Sequence, residues 1–147
     1  MGKTVRGKTG KANPPKKVIE GPSPEAEWYL IWRFGRLDLD STCKFSWQML
    51  EACDVAELER ELVKFQNWKI STLRRKGWLK FIGKESMKVE AQRRLAEINK
   101  LENGLWQLHL HRDKWRVWGY FEEPEFYFLW WDKDHEVATG KSRKRKT

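Results

Sequence analysis

The segment LWQLHLHRDKWRVWGYFEEPEFYFLWWD, residues 105–132, decides the fold. Apolar and polar residues alternate along it, the period of a β-strand whose side chains point to opposite faces. Three runs emerge: Leu105–His111, Trp115–Phe121 and Phe126–Asp132. Arg112-Asp113 is short enough for a two-residue hairpin, and Glu122-Glu123-Pro124-Glu125 reads as a longer turn, so the runs are expected to form an antiparallel meander. Pairing symmetrically about the first turn sets His111 opposite Lys114, His109 opposite Arg116 and Gln107 opposite Trp118. About the second turn, Arg116 meets Trp131, Trp118 meets Leu129 and Tyr120 meets Tyr127. One face then carries His109, His111, Lys114, Arg116, Trp118, Trp131 and Lys133 as a basic, aromatic surface. Trp106, Leu108, Leu110, Trp115, Val117, Phe121, Phe126, Phe128 and Trp130 turn the other way, toward the helices.

Working outward toward the N-terminus, Ser86 is placed to cap a helix whose apolar stripe is Met87, Ala91, Leu95 and Ile98, ending before Gly104. Residues 68–75 form a short helix cut by Lys76-Gly77. Asp54 is a suitable N-cap for a helix with Val55, Leu58, Leu62 and Phe65 at helical spacing. The aromatic and β-branched run from Trp28 to Gly35 suits a strand, which Leu37-Asp38-Leu39-Asp40 extends past a bend. The expected fold class is therefore α+β: strand-helix-helix followed by a three-stranded antiparallel meander, with the helices packed on one face of the sheet.

The chain of 147 residues suffices for one sizeable core, filled largely by ten Trp, seven Phe and three Tyr. Residues 1–26, with Pro14-Pro15 and Pro22-Ser23-Pro24, read as a flexible basic arm; residues 140–147 read as a basic tail, leaving 27–139 as a single domain. Residues 1–17 and 140–147 hold eleven of the 30 Lys and Arg and none of the 21 acids, so the remaining nineteen cations leave residues 18–139 at a formal −2. The +9 of the whole chain thus belongs to its ends. Such ends hold an anionic polymer by counterion release without selecting a site on it, so specific function must come from the body. Two cysteines, Cys43 and Cys53, are too few for a disulfide framework and lack zinc-ribbon spacing. With no apolar run long enough for a secretory h-region or a membrane span, the expected location is cytoplasmic.

The most telling text is Leu105-Trp-Gln-Leu-His-Leu-His111, then Trp115-Arg-Val-Trp-Gly-Tyr120, then Phe126-Tyr-Phe-Leu-Trp-Trp-Asp-Lys-Asp-His135. In these strands, and in the order of its elements, the chain resembles the RelE/ParE-like toxin superfamily from about Trp28 to Val137. The resemblance implies an enzyme that cleaves mRNA, usually on the ribosome, and is held inactive by an antitoxin protein. It implies roles for Arg116 on the second meander strand and His135 just after the third, with Lys114 as a further candidate. The sequence departs from the family pattern in lacking the C-terminal Tyr and in a long segment around residues 66–85.

Read as chemistry, RNA cleavage without a metal needs a base for the 2′-hydroxyl, cations for the pentacovalent phosphate and an acid for the leaving 5′-oxygen. His109, His111 and His135, with Arg116 and Lys114, are residues of the right kind. Trp118, Tyr120 and Trp131 would stack on bases, while Lys133, Lys141, Arg143, Lys144 and Arg145 would follow the backbone. No cofactor is required. His109, His111 and His135 lack the Cys or carboxylate at ligand spacing that would complete a zinc site. The same residues also fit a non-catalytic RNA-binding or protein-interaction module, or simply the wet side of a sheet.

Overall fold

The computed structural model describes residues 21–22, 26–98, 103–110, 115–122 and 124–138. Its strands are β1 (Ile31–Arg33), β2 (Leu79–Gly83), β3 (Gly104–His109), β4 (Arg116–Glu122) and β5 (Glu125–Asp132). Its helices are α1 (Ala52–Phe65), α2 (Ile70–Arg75) and α3 (Val89–Ile98), with 3₁₀ turns at Trp47–Met49 and Lys84–Ser86. The α+β class holds, but the sheet has five strands in the order β1-β5-β4-β3-β2 rather than three. Residues 66–85 account for one addition, since they fold as α2 and then β2, which pairs antiparallel with β3. The other is β1, the strand expected in the run from Trp28 to Gly35, which joins the sheet parallel to the start of β5.

The expectation of helices on one face is also corrected. On one side Trp106, Leu108, Val117, Phe126 and Phe128 pack against Leu58, Leu62 and Phe65 of α1 and Ile70 and Leu73 of α2. On the other, Leu105, Trp118, Tyr120, Leu129 and Trp130 pack against Ala91 and Leu95 of α3, with Met87, Cys43 and Phe45 completing the cluster. A sheet covered on both sides needs strands that are apolar on both sides, and residues 126–131 are six apolar or aromatic residues in succession. None of the helices among the described residues is long and apolar enough to cross a membrane.

The expected hairpin register holds between β3 and β4, where His109 faces Arg116 and Gln107 faces Trp118. Between β4 and β5 it holds at Tyr120–Tyr127 and then slips, so that Trp118 faces Trp130 and Arg116 faces Asp132. Gly119 pairs with Phe128, which leaves Leu129 as the extra residue of a β-bulge. Leu129 and Trp130 therefore enter the same core cluster, while Trp131 enters the other.

Local starts and ends differ in detail from the sequence expectation. The first helix begins two residues before Asp54, which sits in its first turn and accepts the backbone N–H of Glu51 at 3.3 Å. Val55, expected on its apolar stripe, is exposed. The third helix begins at Val89 rather than directly after Ser86, because Lys84–Ser86 form their own 3₁₀ turn. At the N-terminal boundary, Pro22 is buried and its carbonyl accepts a hydrogen bond from Arg74 at 2.7 Å, so the folded body reaches back into the expected arm.

Gly119 is required by close approach at the bulge: a Cβ there would lie 2.1 Å from the Tyr127 carbonyl oxygen, whereas one on Gly35 would meet nothing within 4 Å. Gly119→Ala is expected to destabilise the fold by about 2–4 kcal/mol and Gly35→Ala by less than about 0.5 kcal/mol. Urea unfolding of the two variants checks this, and equal effects would remove the bulge from the account.

Candidate functional site

Arg116 opens β4, flanked by His109 of β3 and Asp132 of β5. It is 8% exposed; its Nε donates to Gln107 Oε1 at 3.0 Å and a terminal nitrogen donates to the Trp115 carbonyl at 3.0 Å. Burial holds its pKa below the ordinary value, against the pull of the Asp132 charge, but a guanidinium remains protonated throughout the working range. An amide, rather than a carboxylate, thus orients the guanidinium at Nε, and Gln107 leaves its charge in place.

Asp132 ends β5 and turns the chain back over the sheet. Its carboxylate is 2% exposed and accepts the backbone N–H of Glu136 at 2.7 Å, that of Val137 at 3.0 Å and the Trp118 indole N–H at 3.1 Å. Burial raises its pKa, opposed by these same donors. The turn puts His135 at φ +58°, a left-handed conformation that most residues avoid and Asn tolerates. Val137 and Ala138 then enter the α3-side core, with Ala138 bridged to Met87 and the Val137 carbonyl accepting the Lys88 N–H at 2.8 Å.

His135 is thereby held, half-buried, at the Arg116 end of the sheet. Its pKa is pushed down to about 4, first by burial and then by the positive charges of Arg116, His109, Lys80 and Lys88. Lys80 stands opposite Gln107 across the β2–β3 ladder, so both side chains share the α3 face with Arg116. Two imidazoles and three cations are therefore drawn together from β2, β3, β4, the start of α3 and the segment after β5. The acidic neighbours are Asp132, already engaged by three donors, with Asp134 and Glu136 beside His135 in the chain; Glu136 is ion-paired to Lys44 at 2.7 Å. A phosphate is the kind of group that this arrangement suits.

Of the residues singled out from sequence, Arg116, His109 and His135 do come together. Several others are corrected. Trp118 is fully buried beneath α3, Tyr120 is 6% exposed and stacked on Tyr127 with centroids 5.8 Å apart, and Trp131 lies in the opposite cluster, edge-on to Trp115 at 4.9 Å. Their ring faces are occupied by protein, because α3 covers the side expected to be wet and the bulge reverses Trp131. Lys133 is exposed but ion-paired to Asp54 of α1 at 3.3 Å. His111, Lys114, Lys141, Arg143, Lys144 and Arg145 lie outside the described residues. Lys80, Lys88, Gln107 and Asp132 were missed. The alternation of Leu79-Lys80-Phe81-Ile82 is the one signal that would have found Lys80.

Among the described residues, Glu51, Cys53 and Asp54 form the one group close enough to share a metal ion. Helix capping and the Lys133 pair already account for Asp54. Comparison of the chain with protein-family models, with curated proteins and with solved structures finds no match.

A folded-state pKa of about 4 against an ordinary 6.5 means that the unfolded chain binds a proton at His135 more readily. Stability from this source is complete above about pH 6.5 and is lost as pH falls toward 4. The expected contribution between pH 7 and pH 4.5 is of the order of 1 kcal/mol after solvent screening. Urea unfolding at the two pH values should show this loss in the wild type and a smaller one in His135→Asn, which tolerates the backbone conformation. Identical pH dependence would mean that the imidazole is not held among these cations.

Proposed function

We propose that this protein is a RelE-like RNA endonuclease that acts through the cluster His135, Arg116, His109, Lys80 and Lys88. The observation that carries the reading is the buried Arg116 guanidinium, paired across the ladder with His109 and held by Gln107, at the end of the sheet to which Asp132 returns His135. In the proposed step, His135 takes the proton of a 2′-hydroxyl and the 2′-oxygen attacks the adjacent phosphorus. The bond from phosphorus to the 5′-oxygen breaks, and His109 supplies the proton to that oxygen. The products are a 2′,3′-cyclic phosphate and a free 5′-hydroxyl. Arg116, Lys80 and Lys88 bear the charge that builds on the phosphoryl oxygens. Ribosome-bound mRNA as substrate and an antitoxin protein as inhibitor belong to the same proposal and rest on the resemblance alone.

Binding itself prepares the base. An imidazole with a pKa near 4 is neutral at pH 7 but a weak acceptor. A phosphate seated among the cations offsets the positive charges that depress it and so raises its pKa toward the range useful for general base catalysis. A second reading, an RNA-binding module without catalysis, is favoured by the low exposure of Arg116, whose guanidinium is engaged by Gln107 and the Trp115 carbonyl.

Incubation of purified protein with labelled single-stranded RNA in the presence of a chelator decides between them. Cleavage to a cyclic phosphate is expected, falling by about 100-fold or more in Arg116→Ala and in His135→Asn and unchanged in Lys133→Ala. Binding without cleavage would establish the module instead. The acid limb of kcat/KM, which reports the free enzyme, should lie near pH 4, and that of kcat should lie higher. Coincident limbs would remove His135 from the role of base.

A further inference from the structure

Beside the basic cluster lies a hollow of about 200 Å³ lined by Phe65, Trp78, His109 and Leu110. Three of its four walls are apolar, and the fourth is a residue of the cluster. His109 connects the two: its backbone N–H donates to the Trp78 carbonyl at 2.7 Å, and it faces Arg116 across the ladder. The Trp78 ring is fixed before any ligand arrives, edge-on to Phe65 at 5.7 Å and tilted against Trp68 at 5.1 Å. The volume is below the ~300 Å³ at which pockets for drug-sized molecules begin, and it suits one planar ring system.

We infer that this hollow receives the nucleobase of the nucleotide whose phosphate sits on Arg116, with the base against Trp78 and the His109 imidazole at its edge. The inference rests on the cluster being a phosphate site and adds what lies next to that phosphate. Apolar walls select by shape and stacking rather than by a pattern of hydrogen bonds, so the pocket accepts single-stranded, unstacked bases and excludes the duplex, whose bases are already stacked. His109 and the Trp78 indole N–H are the only polar side-chain groups among the four lining residues, and His109 alone can accept a hydrogen bond.

Three ligands separate the two sites: inorganic phosphate, ribose 5-phosphate and a nucleoside monophosphate, each titrated into the full chain and followed by NMR. The Trp78 indole N–H resonance is assigned by its disappearance in Trp78→Leu. All three ligands should raise the pKa of His135, but the nucleotide alone should shift Trp78 and should bind about tenfold or more tightly than ribose 5-phosphate. Trp78→Leu should abolish that increment and leave phosphate binding as it was. Equal affinity for the two phosphate esters would overturn the base pocket while leaving the phosphate site standing. No response of His135 to any ligand would overturn both. Should Trp78→Leu fail to fold, the comparison of the three ligands on the wild type still decides the matter.

Discussion

One extra residue in β5 determines how the layers of this protein fit together. A regular strand would send Leu129 and Trp130 to opposite faces; the bulge sends both toward α3 and puts Trp131 against α1 and α2. It also turns the Leu129 carbonyl toward the segment between β1 and α1, where it accepts the Asp38 N–H at 2.9 Å and the Trp47 indole N–H at 3.1 Å. Asp38 in turn accepts from the Trp130 indole at 2.9 Å and from Arg94 of α3 at 2.8 and 2.9 Å. Burial opposes ionisation of Asp38, but these donors outweigh it and hold its pKa below the usual carboxylate range. A single carboxylate thus joins the bulged strand, the covering segment and the third helix, and none of these contacts forms if the strand is regular.

The same bulge carries its effect to the site. Past Leu129 the register has moved by one, so Asp132 rather than Trp131 ends up beside Arg116. An indole there would have given the guanidinium a wall; a buried carboxylate gives the chain a turn. By collecting the N–H groups of Glu136 and Val137, Asp132 returns residues 133–138 over the α3 face and sets His135 at the mouth of the cluster. The position of His135 is therefore a consequence of strand geometry three residues earlier, not of its own packing.

This also explains which features can be read from the chain. Hairpin symmetry about Arg112-Asp113 suffices to pair His109 with Arg116, since a short turn admits few registers. The failure begins where the alternation itself fails, at Leu129-Trp130-Trp131, three apolar residues in a row that a period-two reading must assign wrongly at least once. Those residues signalled a strand covered on both sides, and with it the burial of Trp118 and Tyr120. The place of Arg116 was legible in the hairpin register, whereas His135 was singled out by the resemblance and by its position just after the last strand. Gln107, Asp132 and Lys88 were not, because their roles depend on contacts made across the sheet and over its end.

The segment at residues 66–85, a departure from the RelE-like pattern when read as text, is the part of the chain that builds outward from the site. Its strand β2 closes the β3 edge and brings Lys80 next to Gln107, while the residue just before that strand, Trp78, receives the His109 N–H. Lys80 and Trp78 are two apart, yet one lies with the cations on the α3 face and the other walls the hollow at the end of the sheet, because the strand begins between them. An edge strand with an exposed lysine is also poorly suited to pairing with another chain. One segment therefore extends a charged cluster, adds an aromatic wall beside it and protects the edge it creates. Residues 66–85 thus lie beside both the cations gathered on the α3 face and the hollow at the end of the sheet.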